Sequence, residues 1–169
     1  MPKARAPIEV FLMPGEYFVG DSGYRARTLL GSCVSITLWH PQLRIGAMSH
    51  FLLSTRTQPA DDLDGRYGDE AVLLMLRELM RRAVPPSECE AKIFGGAAML
   101  GESGADSGQV GRGNGETARR LLRELNIRVV SESLYGFGHR NIVFDVASGN
   151  VWSRQVNPVA AAQPARSAA

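Results

Sequence analysis

The stretch Thr28-Leu29-Leu30-Gly31-Ser32-Cys33-Val34-Ser35-Ile36-Thr37-Leu38-Trp39, continued by His40-Pro41-Gln42 and then Arg44 to Leu53, decides how this chain folds. Beyond the interruption at Gly31-Ser32, the apolar residues Val34, Ile36 and Leu38 alternate with Ser35 and Thr37. A period of two predicts a half-buried β-strand. His40-Pro41-Gln42 reads as a turn and Arg44 to Leu53 as the returning strand, so the two form a hairpin. If the turn is centred on Pro41-Gln42, Cys33 faces His50 directly, and directly opposed Cβ atoms in an antiparallel pair lie about 4.5–5.5 Å apart. The same register gathers Val34, Ile36, Leu38, Ala47 and Ile45 on a core face. Cys33, Ser35, Thr37, Met48 and His50 fall on the other. An odd-length turn would send the thiol and the imidazole to opposite faces.

Outward from the hairpin, strands and helices both recur. Ile8 to Met13 is an apolar run ending at Pro14-Gly15, an opening strand, and Asp21-Ser22-Gly23 is a second turn. Downstream, Thr57 to Gly68 is a polar loop. A helix is expected over Asp69 to Ala83, with Val72, Leu76, Leu79 and Ala83 on one face and Leu73, Met75 and Met80 widening the stripe. Pro85-Pro86 stops it. Ala91 to Phe94 reads as a short buried strand entering Gly95-Gly96. Residues 101 to 115 read as a flexible or ligand-facing loop, and Asn114 as the N-cap of a second helix, Gly115 to Asn126, striped by Ala118, Leu121, Leu122 and Leu125. Strands are expected over Ile127 to Val130 and Asn141 to Val146. Ser148-Gly149-Asn150 signals a hairpin into Val151-Trp152. Strands outnumber helices without strict alternation, which predicts an α+β fold: a single-domain α/β sandwich with mainly antiparallel sheets and two main helices. The domain is expected over residues 1–156, and residues 157–169, rich in Ala and Pro, as a disordered tail.

Composition sets limits on function. A net charge of +2 on scattered Arg residues gives no clustered basic stripe, so nucleic acid is not an expected partner. No stretch approaches the roughly 18 apolar residues a membrane span needs, and no signal peptide is evident. Cytoplasmic location and reduced thiols are the expectation for Cys33 and Cys89. Cys33, His50, Cys89 and His139 lack the paired spacing of zinc ligands, so neither a metal nor another cofactor is expected.

Chemistry therefore centres on Cys33 and His50. A thiol titrates near 8.5 when free, and a neighbouring imidazolium lowers it. Imidazole can then protonate a departing amine, acting as base and acid in turn. Gly31 allows close backbone approach, and nearby amide N–H groups can hold an oxyanion. The bland alternative is a small core cysteine beside a structural histidine, and spacing alone leaves both readings open.

Longer motifs narrow the choice. Leu29-Leu30-Gly31-Ser32-Cys33-Val34 and Gly46-Ala47-Met48-Ser49-His50-Phe51 come first, then Arg66-Tyr67-Gly68-Asp69 and Ala91-Lys92-Ile93-Phe94-Gly95-Gly96-Ala97. Gly136-Phe137-Gly138-His139-Arg140 and Phe144-Asp145-Val146-Ala147-Ser148-Gly149-Asn150-Val151 follow in order. Together they resemble the CheD family over about residues 8 to 154. That resemblance implies a chemoreceptor glutamine deamidase, converting Gln side chains of methyl-accepting chemotaxis receptors to Glu through a Cys thioester. It further implies Cys33 as nucleophile, His50 as base and Thr28 as third member. Gly31, Ser32, Ser35, Gly95 and Gly96 are the expected substrate-binding positions. Gly95-Gly96 and the Gly136 to Arg140 loop either shape a groove for a receptor helix or are structural turns. A monomer is the expected state, with the CheC phosphatase a partner in some members. Two alternatives accompany this reading: a non-catalytic adaptor that binds receptors or CheC, and a receptor glutamate methylesterase using the same thioester route.

Overall fold

The computed structural model describes residues 5–99 and 108–156. Among them are nine strands and two α-helices, with one short 3-10 turn at Pro86–Glu88. The strands are β1 (Ile8–Phe11), β2 (Tyr17–Gly20), β3 (Tyr24–Leu30), β4 (Val34–His40), β5 (Ile45–Ser49), β6 (Glu90–Gly95), β7 (Arg128–Leu134), β8 (Arg140–Asp145) and β9 (Val151–Gln155). The helices are α1 (Gly68–Arg81) and α2 (Gln109–Glu124). One sheet has the order β1-β3-β8-β9 and the other β2-β5-β4-β6-β7. Pairing is antiparallel except for β1 with β3 and β6 with β7. This is the expected α+β sandwich.

Two apolar layers hold it together. Val34, Ile36, Leu38 and Ala47 of the five-stranded sheet pack with Ala71, Val72, Met75 and Leu79 of α1 and Ala118 and Leu122 of α2. On the opposite face of that sheet, Met48 and Phe94 meet Ala26, Leu30, Ile142 and Phe144 from the four-stranded sheet. Strand β4 is therefore covered on both faces rather than half-buried. Its alternation of Val/Ile/Leu with Ser/Thr records two different interiors: an apolar one under the helices and a more polar one between the sheets. A fully buried Phe such as Phe144 contributes about 1.5–3 kcal/mol relative to its exposed state.

Several expectations are corrected. Strand β2 and the first half of β3 were not anticipated, because Tyr17–Gly20 is too short to show a period. Leu73 and Met80 do not join the buried stripe of α1 but are exposed, and Leu74 is buried in their place. Ala83 lies outside α1, with φ of 58°. Most consequentially, α2 begins at Gln109, so Asn114 is not its N-cap but a buried residue inside the helix, and Glu116 stands beyond the first turn. Residues 109–115 are thus helical rather than a loop. The expectations for residues 1–4, 100–107 and 157–169, the proposed tail among them, fall outside the described residues. None of the described helices is long and apolar enough to cross a membrane.

Candidate active site

The β4–β5 hairpin pairs His40 with Ile45, Trp39 with Gly46, Leu38 with Ala47 and Thr37 with Met48. Its turn has four residues, Pro41 to Arg44, and is centred one residue later than Pro41-Gln42. Arg44 adopts φ of 51° and donates its N–H to the His40 carbonyl at 2.9 Å. Moving the centre by one residue moves the register by two. The expected direct opposition of Cys33 and His50 is therefore corrected. Val34 pairs with Phe51, which sets Ser35 across from His50 and makes Cys33 its diagonal neighbour. A shift of two preserves the face, so thiol and imidazole still share one side of the sheet. Diagonal neighbours lie about 7–8 Å apart, within reach of long and aromatic side chains.

The strands are also prised apart locally. The Ile36 amide donates to the Ser49 hydroxyl at 3.1 Å, and that hydroxyl faces the Ile36 carbonyl at 3.5 Å. A side chain thereby takes the place of a ladder bond one residue before His50, and β5 ends there.

The shared face is the one between the sheets, where the partners of His50 come from elsewhere in the chain. Its Nδ1 lies 2.6 Å from the Thr28 hydroxyl of β3, and the same hydroxyl is 2.8 Å from the Leu12 carbonyl. A carbonyl only accepts, so the single hydroxyl hydrogen of Thr28 goes to Leu12. Thr28 Oγ1 must then accept from His50 Nδ1–H, which leaves Nε2 as the acceptor nitrogen of the ring. Thr28 and His50 are each 2% exposed. Burial pushes the His50 pKa down to about 4, opposed in part by the Leu12 carbonyl, so the imidazole is neutral at pH 7.

Cys33 is half-buried against the apolar layer between the sheets. Burial pushes its thiol up, and its own amide N–H, directed at the sulfur, pulls the other way. The resting pair is therefore thiol and neutral imidazole, not the thiolate–imidazolium pair that the sequence reading invokes. Nε2 is the ring nitrogen left to accept a proton. The Cys33 amide is a donor placed beside the sulfur, where an oxyanion would form.

The backbone around Cys33 is held from several sides. Its carbonyl accepts from the Gly96 amide at 2.9 Å, and the Gly31 carbonyl accepts from Ala97 at 3.0 Å. Gly95 adopts φ of 113°, and a Cβ there would lie 2.2 Å from the Cys33 carbonyl oxygen, so no other residue fits. Gly95 and Gly96 thus buttress the loop that carries Cys33. A Cβ on Gly31 would press on Met99. Ser32 is half-buried, and its carbonyl accepts from Asn114 Nδ2 at 3.0 Å. Ser35 is fully buried, and its hydroxyl has no partner among the described residues.

Sequence reading missed Asn114 and Arg140. Buried Arg140 donates to the Gly95 carbonyl at 2.7 Å and the Tyr135 carbonyl at 2.8 Å, and burial pulls its pKa down. The odd run Gly113-Asn114-Gly115 inside a helix was the available signal for Asn114. Nothing near Arg140 in the sequence marks it as buried. Among the described residues no group of three or more His, Cys, Asp or Glu could hold a metal ion.

Known proteins share this chain's sequence widely. The family described as CheD chemotactic sensory transduction matches residues 52–155. A protein of Albidiferax ferrireducens named probable chemoreceptor glutamine deamidase CheD 2 is 59% identical over 162 residues, covering 94% of each chain. A probable chemoreceptor glutamine deamidase CheD 1 of Chromobacterium violaceum is 48% identical, covering 91% of this chain and 81% of its own. A relative from Pseudomonas syringae pv. tomato, also named probable chemoreceptor glutamine deamidase CheD, is 40% identical across 90% of this chain. With the hairpin and its cysteine–histidine face described, the conclusion on kinship is direct: the chain belongs to the CheD family.

Proposed function

We propose that this protein deamidates glutamine side chains of chemoreceptors, with Cys33 as nucleophile, His50 as general base and acid, and Thr28 holding the imidazole in its working tautomer. The observation that carries this reading is the chain of bonds from His50 Nδ1 to Thr28 Oγ1 to the Leu12 carbonyl. A histidine held so, on the same face as a half-buried thiol, has the form of an activated nucleophile and its oriented base.

The steps follow from the protonation states. The Cys33 sulfhydryl gives its proton to His50 Nε2 while the sulfur attacks the side-chain amide carbon. The tetrahedral oxyanion accepts from the Cys33 amide, with the Ser32 amide as second donor. Collapse breaks the C–N bond, ammonia leaves with the proton from His50, and a thioester remains on Cys33. Water, losing its proton to His50, attacks the thioester carbon and releases the glutamate carboxylate, and the thiol regains its proton. Water is consumed and ammonia produced, one of each per glutamine. The same thioester route would hydrolyse a γ-glutamyl methyl ester.

Gly31, Ser32, Ser35, Gly95 and Gly96 line or brace the entry to the thiol in this proposal. Receptor helices are the substrate, met in the cytoplasm by a monomer, and CheC is a candidate partner. Incubation with a recombinant receptor cytoplasmic fragment, followed by peptide mass spectrometry, tests it. Gln-to-Glu conversion by the wild type and not by Cys33→Ala is the expected result. No conversion by either protein across several receptors of the source organism would replace the enzyme with a binding adaptor.

A further inference from the structure

Asn114 is 1% exposed and sits inside α2, where asparagine is a poor helix former. Both hydrogens of its amide are used. Nδ2 donates to the Ser32 carbonyl at 3.0 Å and to the Leu52 carbonyl at 2.7 Å. Those carbonyls belong to the residue before Cys33 and the residue two after His50. Because both partners only accept, the orientation of the amide is settled: nitrogen faces them, and Oδ1 faces the Ser54 hydroxyl at 3.3 Å. One side chain thus joins the loop before Cys33 to the segment that follows His50, alongside the Val34–Phe51 backbone pair that links the two strands past the end of β5.

A second observation points the same way. The turns of α2 around Asn114 hold Gly111, Gly113 and Gly115, each unfavourable within a helix. Two are required by close approach. A Cβ on Gly111 would lie 2.4 Å from the Gly96 carbonyl oxygen, and one on Gly115 would lie 2.7 Å from the Tyr135 ring. Gly96 itself donates to the Cys33 carbonyl. The first turns of α2 are therefore built poorly as a helix and closely as a backing plate for the nucleophile loop.

We infer that Asn114 is a positioning residue that sets the Cys33–His50 geometry. It touches neither substrate nor reacting atoms, and the inference rests on the Cys33–His50 reading of the site. The test uses the full chain with Asn114→Ala and Asn114→Asp, the latter keeping the shape but removing both donated bonds. Leu122→Ala, which weakens the packing of the same helix away from the site, controls for lost stability.

Two readouts apply: kcat and KM on the receptor fragment, and the rate of Cys33 alkylation by iodoacetamide with and without His50→Ala. Both Asn114 variants are expected to lose about 10- to 100-fold in kcat with KM within about twofold of wild type. His50→Ala is expected to slow alkylation in the wild-type background and to have no further effect in either Asn114 variant. Leu122→Ala should lower Tm yet keep kcat and the His50 effect on alkylation. Unchanged kcat and an undiminished His50 effect in Asn114→Ala would overturn the inference. So would equal losses in Leu122→Ala. Because alkylation needs no receptor, a wild type that fails to deamidate would sink the proposed function while leaving the positioning role still decided by the alkylation series.

Discussion

Strand β4 has a cysteine–histidine grouping at each end, and the two are arranged differently. At its start stand Cys33, His50 and Thr28. At its far end, His40 Nε2 meets Glu88 at 2.7 Å beside Cys89, while the His40 Nδ1 accepts from the Leu43 amide at 3.1 Å. Both ring nitrogens of His40 are thus occupied in closing a turn. Cys89 is 3% exposed, and burial with Glu88 alongside pushes its pKa up to about 11. At the Cys33 end the histidine keeps one nitrogen without a partner among the described residues, its other nitrogen is held by a neutral hydroxyl rather than a carboxylate, and the cysteine is only half-buried. Residue types are nearly the same at the two ends. What differs is which lone pair remains unspent.

The contrast can be broken most sharply by removing the sulfurs. Cys33→Ala should lower deamidation of a receptor fragment by about 10⁴-fold or more, as loss of a nucleophile does elsewhere, whereas Cys89→Ala should leave kcat within about twofold. Equal losses in the two would erase the distinction between the ends. Next in size is the tautomer lock. Thr28→Val keeps the shape but removes the acceptor for Nδ1–H, and kcat should fall about 10- to 100-fold with little change in KM; Thr28→Ser, which restores the hydroxyl, should recover most of it.

Native-state alkylation sharpens the comparison further. Iodoacetamide should label Cys33 in the folded protein and Cys89 only after denaturation, which intact-mass analysis resolves. Labelling of Cys89 at a comparable rate would show that the far end is not closed.

The acid limb gives the smallest effect. The His50 pKa is lowered from 6.5 to about 4 in the folded protein, so the imidazole stays neutral, and kcat/KM should fall only as pH drops through about 4. A limb near 6.5 would mean that the imidazole is not desolvated as the structure has it. The same burial links to stability. The unfolded chain takes up a proton below about 6.5 that the folded chain refuses until about 4. Stability from this group is therefore full above 6.5 and declines as pH falls toward 4, by roughly 3 kcal/mol in total. Denaturant titrations at pH 7 and pH 4.5, compared with those of His50→Phe, isolate that contribution.

Much of this arrangement was legible from residues alone, for a local reason. Period-two alternation in Val34 to Leu38 marks a strand whatever surrounds it, and face parity survived even though the turn centre was misplaced by a residue. An even shift in register leaves Cys33 and His50 together, whereas an odd one would have parted them. The stripe of α1 was readable through Val72, Leu76 and Leu79 but not at its edges, because whether Leu73 or Leu74 is covered depends on which sheet the helix meets. The start of α2 was unreadable. Gly111, Gly113, Asn114 and Gly115 oppose helix formation locally, and only contacts with Gly96, Tyr135 and the Ser32 and Leu52 carbonyls make a helix there favourable.

By itself, then, the sequence determined the hairpin, the thiol and imidazole on one face, and, through its motifs, the kinship with CheD. Those follow from near neighbours along the chain, where periodicity and turn chemistry act directly. The tertiary structure alone decided that β4 is buried on both sides, that His50 is neutral, and that Thr28 accepts from its Nδ1. It also placed the Asn114 amide between the Ser32 and Leu52 carbonyls. Each of these depends on a second sheet or a distant helix arriving at a few ångströms, and desolvation and hydrogen-bond direction have no counterpart in the order of residues along the chain.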